Sequence, residues 1–263
     1  MKIRDIVQLI EEFAPLELQM SYDNSGLIVG RLDDEVHGAL LAVDVTEEVI
    51  AEAVREGCDL IITHHPIIFN PLKRFNSATY VERCVEEAIR RGIALYAAHT
   101  NLDATREGMS WRVGHMLGLQ SMSVLEPRRD NPDVGFGVVG ELPEAETPIE
   151  FMRRVGKIFS VEALRHSDIP ETMTRIRRVA ICTGSGHSNI DDALRANADI
   201  YITGDLKYND FMLGENRMIL LDIGHFESEF CAISILNDVI SKKMCNFAVR
   251  KSVCSRSPIH YIL

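Results

Sequence analysis

Six side chains in this sequence carry metal-binding chemistry in a regular arrangement. His64 and His65 are adjacent, His99 is followed four residues later by Asp103, and His225 is followed four residues later by Glu229. Imidazoles and carboxylates together suit borderline divalent ions such as Zn, Mn, Fe, Ni or Co. A catalytic zinc takes about three protein ligands plus a water, so six ligands divide naturally between two ions. Such a pair, roughly 3.5–4 Å apart, generates hydroxide at neutral pH and stabilises a developing oxyanion. The H-x-x-x-D and H-x-x-x-E spacings fit one face of a helical turn. A single histidine at a strand end is often no more than a locally hydrogen-bonded polar residue. Four at comparable strand ends, two of them followed by a carboxylate, favour the metal. Lys73 and Arg74 follow the double histidine closely and can meet an anionic substrate, although a solvated loop pair is the ordinary role of such residues. No general acid stands out; His187 and Glu227 qualify as proton donors by proximity alone.

The elements that must position these groups are readable from periodicity. LIITHHP (60–66) puts four apolar or β-branched residues before the histidines and reads as a buried strand. Pro66 biases His65 toward extended backbone. Successive side chains of an extended chain point to opposite sides, so the two imidazoles flank a site unless the chain turns between them. Ile3, Ile6, Val7, Ile10 and Phe13 share a helical face, and Asp23-Asn24-Ser25-Gly26 has turn chemistry. A strand over 39–43, a helix ending at Gly57, a helix over 78–90, a strand over 93–97 and a helix running to about Gly118 follow. SPIHYIL (257–263) reads as a final short strand.

The second half repeats the first. IDDALRANADIYIT (190–203) matches IAEAVREGCDLIIT (50–63) at an offset of 140, with Asn197 opposite Gly57 at the helix end, the two residues that best tolerate positive φ. ILLDIGHFESE (219–229) parallels IALYAAHTNLD (93–103) at an offset of 126. The pattern predicts an α/β fold of two similar intertwined α-β-(β-α) repeats, with mostly parallel mixed sheets flanked by helices. The first repeat occupies 1–125; a junction and the second repeat occupy 126–263, packed with the first as one body. Ligand sites in such sheets lie at the carboxyl ends of strands, where all four histidines fall. Gly204 and Asp205 replace the double histidine in the second repeat, which predicts one asymmetric site. Asp205 reads as a helix N-cap before Leu206 in preference to a partner for a metal ligand. GFGVVG (135–140) fits a dinucleotide pattern but alternates like a strand, and TGSGHSN (183–189) reads as a tight turn capped by Ser188.

A net charge of −11 argues against a nucleic-acid polymer or an anionic membrane surface as partner. Six scattered cysteines without C-x-x-C spacing favour reduced thiols and a cytoplasmic protein. The N-terminus reads as an amphipathic helix, not a signal peptide, and no apolar run approaches spanning length.

With SYDNSGLIVG, LIITHHPIIFNPLKRF, HTNLD, CTGSG, YITGDLKY, GHFESE and SPIHYIL in view, the chain resembles the GTP cyclohydrolase 1 type 2 homologue family, the NIF-three-like proteins. The resemblance implies two interwoven α/β repeats, a dinuclear metal site on His64, His65, His99, Asp103, His225 and Glu229, and a toroidal homohexamer. It also implies metal-dependent hydrolysis, with opening of the GTP imidazole ring as the named activity and a nucleotide or similar small molecule as substrate. A non-catalytic metal-binding scaffold or regulator is the alternative. Tyr22 stands where the family usually has Trp, at an expected packing position, and Asn209 where many members have His.

Overall fold

Hydroxyl caps and left-handed residues punctuate the chain. Thr46, Thr79 and Thr147 each accept an amide hydrogen bond at a helix start. Gly57, Gly92 and Ser160 end the same three helices with positive φ. Asn197, read as the counterpart of Gly57, has φ 54°.

This computed structural model describes residues 1–161 and 163–262. In chain order the first elements are α1 (Ile3–Phe13), β1 (Gly26–Val29), β2 (Gly38–Ala42), α2 (Glu47–Glu56) and β3 (Leu60–Thr63). Next come α3 (Tyr80–Arg91), β4 (Ala94–Ala97), α4 (Thr100–Ala104), α5 (Met109–Met116), β5 (Gln120–Pro127) and β6 (Gly135–Glu146). Then α6 (Pro148–Phe159), β7 (Arg165–His166), β8 (Ile176–Ser185), α7 (Ile190–Arg195) and β9 (Ile200–Gly204) follow. The last are β10 (Ile219–Asp222), α8 (His225–Glu229), α9 (Cys231–Lys243) and β11 (Ala248–Lys251). No helix among the described residues is long and apolar enough to cross a membrane.

The chain divides into two compact units, Met1–Thr105 with Ala232–Arg256 and Arg106–Cys231 with Ser257–Leu263. The first unit holds a five-stranded sheet in the order β1-β4-β3-β2-β11, parallel except for β1. Every residue of β2, β3 and β4 is buried, as expected where helices cover both faces of a parallel sheet. The second unit holds a six-stranded sheet in the order β5-β6-β8-β9-β10-β7, with β8, β9 and β10 parallel and the others antiparallel. The expected α/β architecture with mixed sheets is therefore present in each unit.

Strand register carries the repeat. Val179 faces Ile200 as Ala39 faces Leu60, an offset of 140 on both strands. Ile219 stands beside Ile200 as Ala94 stands beside Leu60, an offset of 125. His225 lies 126 positions after His99, so the second repeat has one more residue between strand and histidine. GFGVVG forms the start of β6, as its alternation predicts.

Three local expectations fail for identifiable reasons. The helix expected to run to Gly118 is broken into α4 and α5, because Thr105 is extended and bonds the Phe13 carbonyl at 2.8 Å while Glu107 takes φ 64°. The stretch 257–262 forms no strand, and Leu263 lies outside the described residues. The strand that completes the first sheet is instead β11, whose polar sequence gave no strand pattern. Ser188 does not cap α7; Asn189 occupies that position without a side-chain cap bond.

The segment after β11 is held by Glu52 of α2. Its buried carboxylate accepts from the Ser252 hydroxyl and from the Val253 and Cys254 amides at 2.9 and 3.2 Å. Burial opposes its ionisation, but these three donors outweigh it and lower its pKa from the ordinary 4.5. A depressed folded pKa makes the contribution full above that ordinary value and loses it as pH falls through the folded pKa. Glu52→Gln is expected to cost about 1–3 kcal/mol in urea unfolding at pH 7, with the difference from the unaltered chain shrinking below pH 4.5. A difference independent of pH would contradict the ionised clamp.

Candidate metal centre

In the first unit the parallel pairing carries on past the end of β3. The His65 amide bonds the Val43 carbonyl at 3.0 Å on one side, and the Ala98 amide bonds the Thr63 carbonyl at 2.9 Å on the other. The chain bends at residues 64–65, and this bend supplies the turn that an extended pair of histidines lacks. The ring centroids of His64, His65 and His99 consequently lie 5.0–5.4 Å apart. A nitrogen of each falls within 4.8 Å of the others, near enough for the three to share an ion. Asp103, on the short helix that His99 opens, brings a carboxylate oxygen 3.8 Å from His64 Nε2. All four first-repeat residues expected at the site are thus together in this unit.

Each ring is held by its Nδ1. His64 Nδ1 lies 2.8 Å from the Ala98 carbonyl, His65 Nδ1 2.8 Å from Asp44, and His99 Nδ1 2.7 Å from Asp23. A carbonyl only accepts, so His64 carries its proton on Nδ1, with Nε2 on the Asp103 side of the ring. Burial works against a charged Asp23. Even so, hydrogen bonds from His99, Thr100 and the Asn24 amide outweigh it and hold the carboxyl well below the usual carboxylate range. An ionised Asp23 fixes His99 with its proton on Nδ1 as well. Histidine ligands of metals typically donate their second N–H to a carbonyl or carboxylate in this way.

In the second unit His225 opens α8 and Glu229 closes it. His225 Nε2 lies 3.0 Å from Glu229, and His225 Nδ1 lies 2.7 Å from Asp205. Asp205 therefore holds the His225 ring, contrary to its reading as a cap, and the chain stays non-helical through Leu206 and Lys207. Two glycines let the backbone approach this pair. A Cβ on Gly184, which has φ 67°, would fall 2.1 Å from a Glu229 oxygen, and one on Gly204 would fall 2.8 Å from the His225 amide. TGSG thus forms the floor beneath Glu229, with the Gly184 amide donating to Ser228 Oγ at 2.9 Å.

Asp23 and Asp44 escaped the sequence reading as holders of histidines, and Asp205 was weighed for that role but read as a cap. Asp44 and Asp205 had a signal, since each follows a buried parallel strand at its carboxyl end. Asp23 had only its turn context. Lys73 and Arg74 are exposed on the loop after His65. His187 meets Asp210 at 3.2 Å. Tyr22 is 61% exposed, so it is no packing residue, and burial together with the charges of Asp23 and Asp103 pushes its hydroxyl pKa up.

If these acids orient ligands, replacing Asp23, Asp44 or Asp205 by Ala lowers divalent-metal affinity roughly 10–100-fold. Chelator competition on folded variants measures this, and unchanged affinity in all three would refute the orienting role.

The chain matches the family model described as Duf34/NIF3 (NGG1p interacting factor 3) over residues 1–258. A GTP cyclohydrolase 1 type 2 homolog from Clostridium perfringens is 34% identical over 269 residues, covering 100% of both chains. A Staphylococcus aureus hypothetical protein of known structure superimposes with a TM-score of 0.91 at 27% identity, covering 100% of this chain and 99% of that one. A Bacillus cereus protein related to NIF3 gives a TM-score of 0.90 at 23% identity, with 100% and 99% covered. At that lower identity the likeness speaks for the fold alone.

Proposed function

This chain belongs to the Duf34/NIF3 family, and from that premise we propose that it is a metal-dependent hydrolase of nucleotides or similar small molecules. The carrying observation is that ring nitrogens of His64, His65 and His99 lie within 4.8 Å of one another while Nδ1 of each is held by a carbonyl or carboxylate, the arrangement of histidines that bind an ion. The relatives named GTP cyclohydrolase 1 type 2 homolog make GTP the first substrate to try.

The donor set fits the group. In this reading His64, His65, His99, Asp103, His225 and Glu229 hold two divalent ions between them, a mixed imidazole and carboxylate set suited to Zn, Mn, Fe, Ni or Co. When bound, the ions supply Lewis acidity and lower the pKa of a water toward neutrality. The chain's own residues do the rest. Asp23, Asp44, Asp205 and the Ala98 carbonyl keep the rings in one tautomer, and Lys73 and Arg74 draw in the anionic part of the substrate. A ring of six copies in the cytoplasm belongs to the same proposal.

Metal-loaded protein incubated with GTP and a nucleotide panel is expected to release hydrolysed product, and His64→Ala with His65→Ala to abolish it. No turnover on the whole panel, or equal turnover by the variant, would leave a metal-binding scaffold as the better description. In light scattering the proposed ring is expected at six times the 29.6 kDa chain mass, and a mass of one or two chains would refute it.

A further inference from the structure

Phe69 stands beside His99 of the first unit, Tyr22 stands beside Phe69, and both rings are largely exposed. Phe69 lies 6.2 Å from His99 between ring centroids, nearly perpendicular at 85°, and Tyr22 lies 6.2 Å from Phe69 at a tilt of 57°. Neither ring stacks face to face on its neighbour. Tyr22 is 61% exposed and Phe69 44% exposed, a costly arrangement for large aromatic surface that no core contact demands.

Their positions are nevertheless built. Asn24 donates from Nδ2 to the Ile68 carbonyl at 2.6 Å, tying the turn that carries Tyr22 to the loop that carries Phe69. The same turn is anchored through Asp23, which accepts from the Asn24 amide at 2.7 Å, from Ser25 Oγ at 3.0 Å, and from His99. The hydrogen bonds that orient a candidate ligand thus also fix the two aromatics relative to it.

We propose that Tyr22 and Phe69 form a stacking wall for a planar heteroaromatic ring, and so select substrates that carry a nucleobase-like group beside His99. The inference rests on the hydrolase reading and narrows its substrate class. The two residues act in specificity and are not placed in the reaction. Base–aromatic stacking supplies a sequence-tolerant gain that a triphosphate alone cannot collect. Lys73 and Arg74, on the same loop as Phe69, serve the charged end of such a ligand.

Titration calorimetry on the metal-loaded protein tests this with two probes, GTP and inorganic triphosphate. Tyr22→Ala and Phe69→Ala are expected to weaken GTP roughly tenfold or more, to leave triphosphate affinity unchanged, and to retain full metal content. Phe69→Leu keeps apolar bulk without a ring and is expected to weaken GTP similarly, while Tyr22→Trp retains binding. If Tyr22→Ala disturbs the Asp23 turn and loses metal, Phe69→Leu decides. Undiminished GTP affinity in the folded variants, equal weakening of both probes, or no preference of the unaltered protein for GTP over triphosphate would each overturn the proposal. Because binding is read separately from turnover, a protein that holds GTP as described without hydrolysing it defeats only the hydrolase reading. Turnover with unchanged affinity in the variants defeats only the stacking wall.

Discussion

The hydrogen bond to Nδ1 is the constraint on which the rest depends. An imidazole offers two chemically similar nitrogens, and a metal site works only if the ring presents the same one every time. Here His64 uses a strand-end carbonyl, and His65, His99 and His225 use aspartates. The acceptors stand 2.7–2.8 Å away, which fixes both the tautomer and the direction of Nε2.

The parallel sheet makes those bonds possible. Its register continues beyond the last strand residues, so His65 reaches back over the end of β2 to Asp44 while His64 reaches the chain leaving β4 at Ala98. The second unit uses the same geometry with different occupants. Gly204 and Asp205 stand at the positions of His64 and His65; one gives up a side chain so that α8 can approach, and the other becomes the holder of His225. At these two positions the duplicated frame thus carries candidate ligands in the first unit and supports for His225 in the second.

The candidate ligands were legible as a cluster because they are rare residue types at repeated positions. His99 with Asp103 and His225 with Glu229 share a spacing, and the helix-ending pair Gly57 and Asn197 both take positive φ as read. The holders were less legible, since aspartate has many ordinary uses. Asp23 meets His99 across 76 positions, a separation no local pattern encodes. Asp205 was mistaken for a cap because a residue after a strand and before a polar stretch suits either role. Tyr22 was taken for packing because exposure depends on what the loop carrying Phe69 does, and that loop has no periodicity. β11 was missed because it is a short, polar edge strand with three of its four residues exposed and so carries no apolar pattern, while SPIHYIL, apolar enough to suggest a strand, forms none over 257–262.

The first sheet borrows its outermost member from the far end of the chain: β11 lies beside β2, more than two hundred residues after it. During synthesis the ribosome therefore emits every other strand of that sheet long before this one. The β2 margin waits with unpaired amides and carbonyls while the whole second sheet is translated, an interval in which such a margin is open to foreign strands. Cotranslational completion of the first unit is tied to the final stretch of the message, and a transcript cut short before it leaves the wholly apolar β2, not the polar β11, at the sheet margin.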